Sequence, residues 1–497
     1  MTIISYLILG IYIFALLWIT GYCLLQLHLL YQYQKGQGST KTLQIADVHD
    51  KDLPFVTIQL PIYNELYVIE RLIDRVCEFN YPKDKFEIHI LDDSTDETVA
   101  IVAKKVAHYK AKGFQIAQIC RVDRTGYKAG ALKEATLKAK GEFIAIFDAD
   151  FLPRRDFLLE TIPYFKDPKT GVVQTRWEHI NQNYSILTKL QAMQLNVHFT
   201  VEQQGRKSGN YMLQFNGTAG VWRKETIADA GGWEADTLTE DLDLSYRAQL
   251  KGWEIVFLEK FGSPAELPAE MNGLKSQQFR WMKGGAETAK KMLPTIWKSN
   301  LKLNQKIHAT GHLLGSTIFI FVFISGIFSV PLLFALQNIG FDTRYFAFFL
   351  AGLLSVIAVY FVANVNAEIT EEAWLKKVLK FVVLFPVFLA LSMGLSLHNT
   401  IAVLQGWRGK KSPFIRTPKF NINTIKDTFK KQKYFNSKLS WVTVFEGLLS
   451  LYFLGGIFAG IQLGNSAFLL FHGLLMIGFG TIFYYSIRHT NIIESEE

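Results

Sequence analysis

Cysteine is scarce: Cys23, Cys77 and Cys120 are the only three in 497 residues, and none stands in a CxxC or other metal-ligand spacing. That argues against a disulfide framework and a thiolate zinc site, and suits a reducing compartment. The eleven histidines are scattered and form no ligand pair. Neither GxGxxG nor GxxxxGK[ST] occurs, so neither dinucleotide nor P-loop chemistry is supported. Charge is also absent where it matters. Residues 3–31 hold no Lys, Arg, Asp or Glu, a longer run than the ~20 residues that span a bilayer. They lack the basic start and small-residue cleavage site of a removable signal, so residues 1–31 read as an anchor.

What is present is apolar: 49% of residues are hydrophobic and 14% aromatic, which points to a membrane protein. Residues 32–303 have the composition of a soluble α/β domain. Hydrophobic runs then return at 311–336, 345–365, 378–404, 442–463 and 466–487. The net charge of +9 is concentrated between two of them. Residues 405–440 carry ten Lys and Arg against the single acid Asp427. This is the pattern of a cytoplasmic loop near anionic lipid, and no basic-aromatic motif suggests nucleic acid. If every run crossed, this loop would lie outside. The reading that avoids this takes 378–404, with Pro386, Gly394, His398 and Asn399, as interfacial or re-entrant. Glu446, near the end of the 442–463 run, is expected to snorkel or to pair with another helix.

Within 32–303, β-rich runs at 54–60, 86–91, 113–119 and 142–147 alternate with helical apolar spacing. That implies a mainly parallel sheet with ligands at the carboxyl ends of its strands. Two of these strands end in acids. Asp92 and Asp93 follow Leu91, with Asp96 read as a helix cap. Asp148 and Asp150 follow Phe147, and alternation turns both to one side as hard oxygen ligands for Mg²⁺ or Mn²⁺. A third group, "TLTEDLDLSYRAQ", has Thr237 and Glu240 in capping-box spacing, while Asp241 at such a helix start is held as a general base should be. In "LKSQQFRWMKGG" (274–285), Trp281 fits a membrane interface. Gln277 and Arg280 need another reason: an amide for sugar hydroxyls and a planar cation for phosphate, beside an aromatic face for a sugar ring.

The order Asp-Asp-Ser, Asp-Ala-Asp, Thr-Glu-Asp, Gln-x-x-Arg-Trp resembles the processive family 2 glycosyltransferases, which include cellulose, mannan, chitin and hyaluronan synthases. "LPIYNE", "YKAGAL" and "FNGTAGVWR" extend the likeness. It is nearest to the cellulose-synthase-like β-glucan and mannan synthases through "LTEDLDLSYRAQLKGW" and "FIRTPK". The resemblance implies an α/β domain of GT-A type inserted between transmembrane helices. It implies nucleotide-sugar contacts from Tyr63, Glu65, Asp92, Asp93, Lys128, Asp148 and Arg280, and a metal on Asp148 and Asp150. It further implies that Asp241 is the base, that Thr239, Glu240, Gln277 and Trp281 meet the acceptor, and that the reaction is a single inverting displacement. "PFIRTPKF" resembles a gating loop, with Phe414, Thr417 and Lys419 in pattern and Arg416 in place of Val. The product implied is a β-linked, β-1,4-weighted polysaccharide from UDP-glucose or GDP-mannose, passed across the plasma (inner) membrane from a cytoplasmic domain. Its channel lies in 304–497, and a cyclic-dinucleotide sensor is not expected.

Two rivals remain at this stage. A non-processive enzyme would glycosylate a membrane lipid with the same acids and a version of QxxRW. A transport protein with a ligand-binding domain would need neither the metal acids nor a base. The sugar, the oligomeric state and any export partner are not legible.

Overall fold

The computed structural model describes residues 2–37, 53–366, 372–412, 415–422 and 440–491. The sheet has the order β3-β2-β1-β4-β6-β5-β7. The strands are β1 (Val56–Ile62), β2 (Phe86–Asp92), β3 (Gln115–Cys120), β4 (Phe143–Ile146), β5 (Thr170–His179), β6 (Gly220–Arg223) and β7 (Glu254–Ala265). Every pairing is parallel except those of β6. The first four strands fall where the sequence places them, within two residues. β1, β2 and β4 are buried almost throughout because helices cover both faces. One face packs Val56, Ile58, Leu60, Ile88 and Phe147; the other packs Leu132, Ile144, Trp222 and Leu244.

Topology then sets where the chemistry lies. β1, β2 and β4 are neighbours, so their carboxyl ends release Tyr63 and Glu65, Asp92 and Asp93, and Asp148 and Asp150 side by side. The turn after β1 is latched to the turn after β2. Asn64, at φ 55°, takes Ser94 Oγ as acceptor for its N–H and accepts from Thr95 N at 2.8 Å.

Among the described residues, six helices are long and apolar enough to cross a membrane: Thr2–Gly36, Gly315–Ile339, Thr343–Asn366, Trp374–Gly394, Trp441–Gln462 and Leu469–His489. The run at 378–404, expected from charge to be interfacial or re-entrant, falls on two helices, Trp374–Gly394 and Ser396–Trp407. It breaks after Gly394, where that residue abuts the backbone of Gly478 so closely that a Cβ would lie 2.4 Å from a carbonyl carbon. Pro386 lies inside the first helix without ending it. That helix buries Phe381, Phe385, Phe388 and Leu391 with Leu187, Leu190 and Met193 of the sheet domain. The second, Ser396–Trp407, runs against the long helix Met271–Lys298, its His398 Nε2 at 2.9 Å from the Lys275 carbonyl.

Met271–Lys298, here the site helix, joins the two halves. Its Lys275 Nζ lies 2.8 Å from the carboxylate of Glu446 in the helix Trp441–Gln462, and neither side chain is more than 8% exposed. Glu446 is thus a helix-paired acid. Breaking such a pair strands a buried charge, whereas replacing both partners removes the problem. We expect Lys275→Met or Glu446→Leu alone to lower stability by about 3–5 kcal/mol, and the double variant to recover most of the loss. Thermal unfolding in lipid nanodiscs, compared across the three variants, checks this.

Candidate active site

The strand ends, the loop before Glu240, the site helix and residues 415–422 enclose a cleft of about 220 Å³. At one end Tyr63 lies under Arg124, whose guanidinium carbon is 3.3 Å from the ring centroid. Asp93 also lines this end, clamped by Arg121 through two hydrogen bonds of 3.0 and 2.5 Å. Asp92 does not line the cleft. Its carboxylate is turned inward and accepts from Ser94 N and Gln118 Nε2, so it braces the turn. Asp96, expected as a helix cap, accepts from Thr98 N at 2.9 Å, one residue ahead of the N-cap position at Glu97.

The centre is a set of carboxylates held apart by cations. Lys128 Nζ donates to Asp148 Oδ1 at 2.6 Å and to Gly217 O at 3.0 Å. Lys419 Nζ lies 2.6 Å from Asp150 Oδ2 and also donates to the Glu266 carbonyl. Two hard carboxylates side by side fit a divalent metal. Burial raises the Asp148 carboxyl above its ordinary range. Burial also pushes Glu65 up to about 8, against the pull of Arg416 3.8 Å away.

Asp241 sits in the first turn of the helix Glu240–Leu250. The capping box read from Thr237 and Glu240 is not formed: the helix has no side-chain cap, and Leu238 N donates instead to Glu287. Two of the three first-turn acids, Glu240 and Asp241, line the cleft. Burial, then the neighbouring Glu240, pushes Asp241 up to about 7. Gly217, at φ +76°, admits it: a Cβ there would lie 3.0 Å from Asp241 Oδ2 and 3.5 Å from Lys128 Nζ. Asp241 and the Lys128–Asp148 pair thus share the space around Gly217. Thr239 also lines the cleft and reaches Thr288 Oγ1 at 3.1 Å.

The site helix forms the opposite wall with Gln277, Arg280 and Trp281, whose spacing of three and four residues puts them on one face. Trp281 packs with Phe199, Phe257 and Leu267. Burial lowers Arg280 to about 10, so it stays charged. It donates to Ile415 O at 2.7 Å and to Thr417 Oγ1 at 2.9 Å. Arg416 donates to Tyr63 O at 3.3 Å. The gating-like segment is therefore seated in the cleft, and its Arg416 meets the strand-end acids directly. Phe414 lies outside the described residues.

Sequence reading missed Trp177, His179, Asn216, Arg124 and Glu266, which also line the cleft. Trp177 and His179 stand two apart on β5, a strand hidden because its buried row includes Gln174, Thr175 and Arg176. Asn216 and Arg124 carry no spacing signal.

Residues 54–284 match the protein family described as glycosyltransferase like family 2. Over 251 residues the chain is 45% identical to glucomannan 4-beta-mannosyltransferase 1 of Cyamopsis tetragonoloba, covering 50% of this chain and 48% of that protein. Over 261 residues it is 41% identical to glucomannan 4-beta-mannosyltransferase 9 of Arabidopsis thaliana, covering 51% and 49%. The matched part is thus about half the length of these curated relatives. The mannosyltransferase PcManGT of Pyrobaculum calidifontis, solved with GDP-Man and Mn²⁺, shares the fold at a TM-score of 0.52 and 18% identity, covering 81% of this chain and all of that one. The acids at the strand ends and the Gln-x-x-Arg-Trp wall therefore lie within residues 54–284, the part of the chain that is similar to family 2 glycosyltransferases, on a fold shared with that solved mannosyltransferase.

Proposed function

We propose that the protein is a membrane-embedded, inverting β-mannosyltransferase that builds a β-1,4-linked glycan from GDP-mannose. The observation that carries the reading is the placement of Asp241 beside the Lys128–Asp148 pair in one cleft. The relatives' names favour mannose over the glucose that the motifs equally allow.

In this reading the diphosphate lies against Lys128, Arg280 and Lys419, and the acceptor sugar on Trp281 with Gln277 at its hydroxyls. Asp241 takes the proton from the attacking hydroxyl while that oxygen forms a bond to the anomeric carbon and the bond to GDP breaks. Attack from the face opposite the diphosphate turns the α linkage into β. A divalent cation, Mg²⁺ or Mn²⁺, held by Asp148 and Asp150 would neutralise the diphosphate charge. Arg280, fixed from the loop by Ile415 and Thr417, offers a fork to the departing phosphate oxygens. The basic loop supports a cytoplasmic face for the domain. We further infer that the product leaves through the helices beside Trp281, where Gln191, Gln194, Gln278 and Ser392 line a second, smaller cavity.

The product assay tests the function: purified protein in lipid is given labelled GDP-mannose or UDP-glucose with Mg²⁺ or Mn²⁺. Large product released by a β-mannanase is expected. Label confined to a solvent-extractable lipid would instead support single transfer. Asp241→Asn should cut transfer by about 10²–10⁴-fold, the usual worth of a general base, with GDP binding retained in a filter-binding assay. Because a base works deprotonated, kcat/KM should fall as pH drops through about 7, and a pH profile that stays flat from 8 to 5.5 would remove Asp241 from that role.

A further inference from the structure

Residues 234–239, the approach to the helix Glu240–Leu250, form neither helix nor strand. They deliver Asp241 to the cleft, so their backbone groups must find partners outside regular structure. The helix start they lead into has no side-chain cap. Its two cleft-facing acids, Glu240 and Asp241, also repel each other. Such a start does not position itself.

The site helix supplies the hold. At steps of three and four residues, its face beyond Trp281 continues through Gly284, Glu287, Thr288 and Lys291. Gly284 lets the loop lie directly on the helix: a Cβ there would sit 2.6 Å from Thr239 Cγ2 and 2.9 Å from Thr239 N. Thr288 Oγ1 lies 3.1 Å from Thr239 Oγ1, and Glu287 Oε2 accepts from Leu238 N at 2.8 Å. Lys291 Nζ lies 2.5 Å from Glu234 Oε2, 2.9 Å from Asp236 Oδ2 and 3.0 Å from Asp243 Oδ1. These three carboxylates are close enough together to hold a metal ion, but each already meets this ammonium. Asp243 is fully buried, and Arg247 takes its other oxygen at 2.7 Å. It therefore ties the first turn of the helix that carries Asp241 to the site helix. One element thus bears both the Gln277–Arg280–Trp281 wall and the seat of the loop that carries the base.

We propose that Glu287, Thr288 and Lys291 are positioning residues for the transfer: they register residues 234–239 on the site helix and so fix Asp241 relative to Arg280 and Trp281. The proposal rests on the glycosyltransferase reading above. None of the three lines the cleft; they act through Leu238, Thr239 and Asp243. A shift of about 1 Å between base and acceptor is enough to cost about 10²-fold in rate.

The test uses the full chain in lipid nanodiscs with GDP-[¹⁴C]mannose and Mn²⁺, each rate being divided by the number of GDP-binding sites found by filter binding. Glu287→Leu removes the acceptor for Leu238 N. Glu287→Gln keeps an oxygen there but loses the charge that faces Lys283 at 3.7 Å, so the pair separates the loop contact from that ion pair. Glu287→Leu should lower kcat per site by roughly 10²-fold, with the KM for GDP-mannose within about twofold of wild type. Glu287→Gln should keep kcat within about fivefold of wild type, because its amide oxygen still accepts, though more weakly than a carboxylate. Thr288→Val and Lys291→Met should lower kcat in the same way by smaller factors. An unchanged kcat in Glu287→Leu, equal losses in the Leu and Gln variants, or a KM that rises as far as kcat falls overturns the proposal. If Glu287→Leu elutes as aggregate in gel filtration, Thr288→Val, which keeps the side chain's shape, and Lys291→Met decide it: an unchanged kcat in both overturns it. Wild-type protein that transfers no mannose would sink the functional reading and this proposal with it, whereas normal wild-type transfer beside unaffected variants sinks this proposal alone.

Discussion

The structure depends on a crowd of carboxylates kept in one cleft by cations. Glu65, Asp148, Asp150, Glu240 and Asp241 all face the same space, met by Lys128, Arg280, Arg416 and Lys419. Two unit charges about 4 Å apart interact by about 4 kcal/mol at an effective dielectric of 20. Five acids without counter-charges would protonate or push the strand ends apart. Two of the four cations, Arg416 and Lys419, come from residues 415–422, which follow the helix Ser396–Trp407. The sheet domain therefore does not complete its own site; the membrane part does.

This explains the mechanical features around the cleft. The site helix carries Arg280 and Trp281 on one face and is pinned to the helix Trp441–Gln462 by the buried Lys275–Glu446 pair. Gly406 of Ser396–Trp407 approaches the same helix so closely that a Cβ would sit 2.6 Å from Lys283 O. Lys283 in turn donates to Lys410 O and Ser412 Oγ at the root of the loop. Glu266 holds the far side, accepting from Arg71 and from Phe420 N. Lys419 is thus delivered to Asp150 by contacts on both flanks.

Much of this was legible in the sequence where chemistry follows a strand end. Asp148 and Asp150 were readable because apolar β4 precedes them, and Arg280 and Trp281 because helical spacing aligns them with Gln277. The expected roles were less secure wherever a side chain had an inward alternative. Asp92 looks like Asp93 in sequence, yet Gln118 and Ser94 draw it away from the cleft. β5 was unreadable because its buried polar residues bond across the sheet, as Thr175 does to Ser263. The break inside the 378–404 run comes from a close helix contact, Gly394 on Gly478, that no local pattern announces. The loop's charge suggested lipid, while in the fold Arg416 and Lys419 are turned onto acids.

Lys419 lies 2.6 Å from Asp150 Oδ2, so we propose that it stands where a divalent cation would bind. The direct measurement is Mn²⁺ binding by electron paramagnetic resonance, without nucleotide, in wild type, Lys419→Ala and Asp150→Asn. The account predicts tighter Mn²⁺ binding in Lys419→Ala and a loss of binding in Asp150→Asn. Equal affinity in wild type and Lys419→Ala, or undiminished binding in Asp150→Asn, would contradict it.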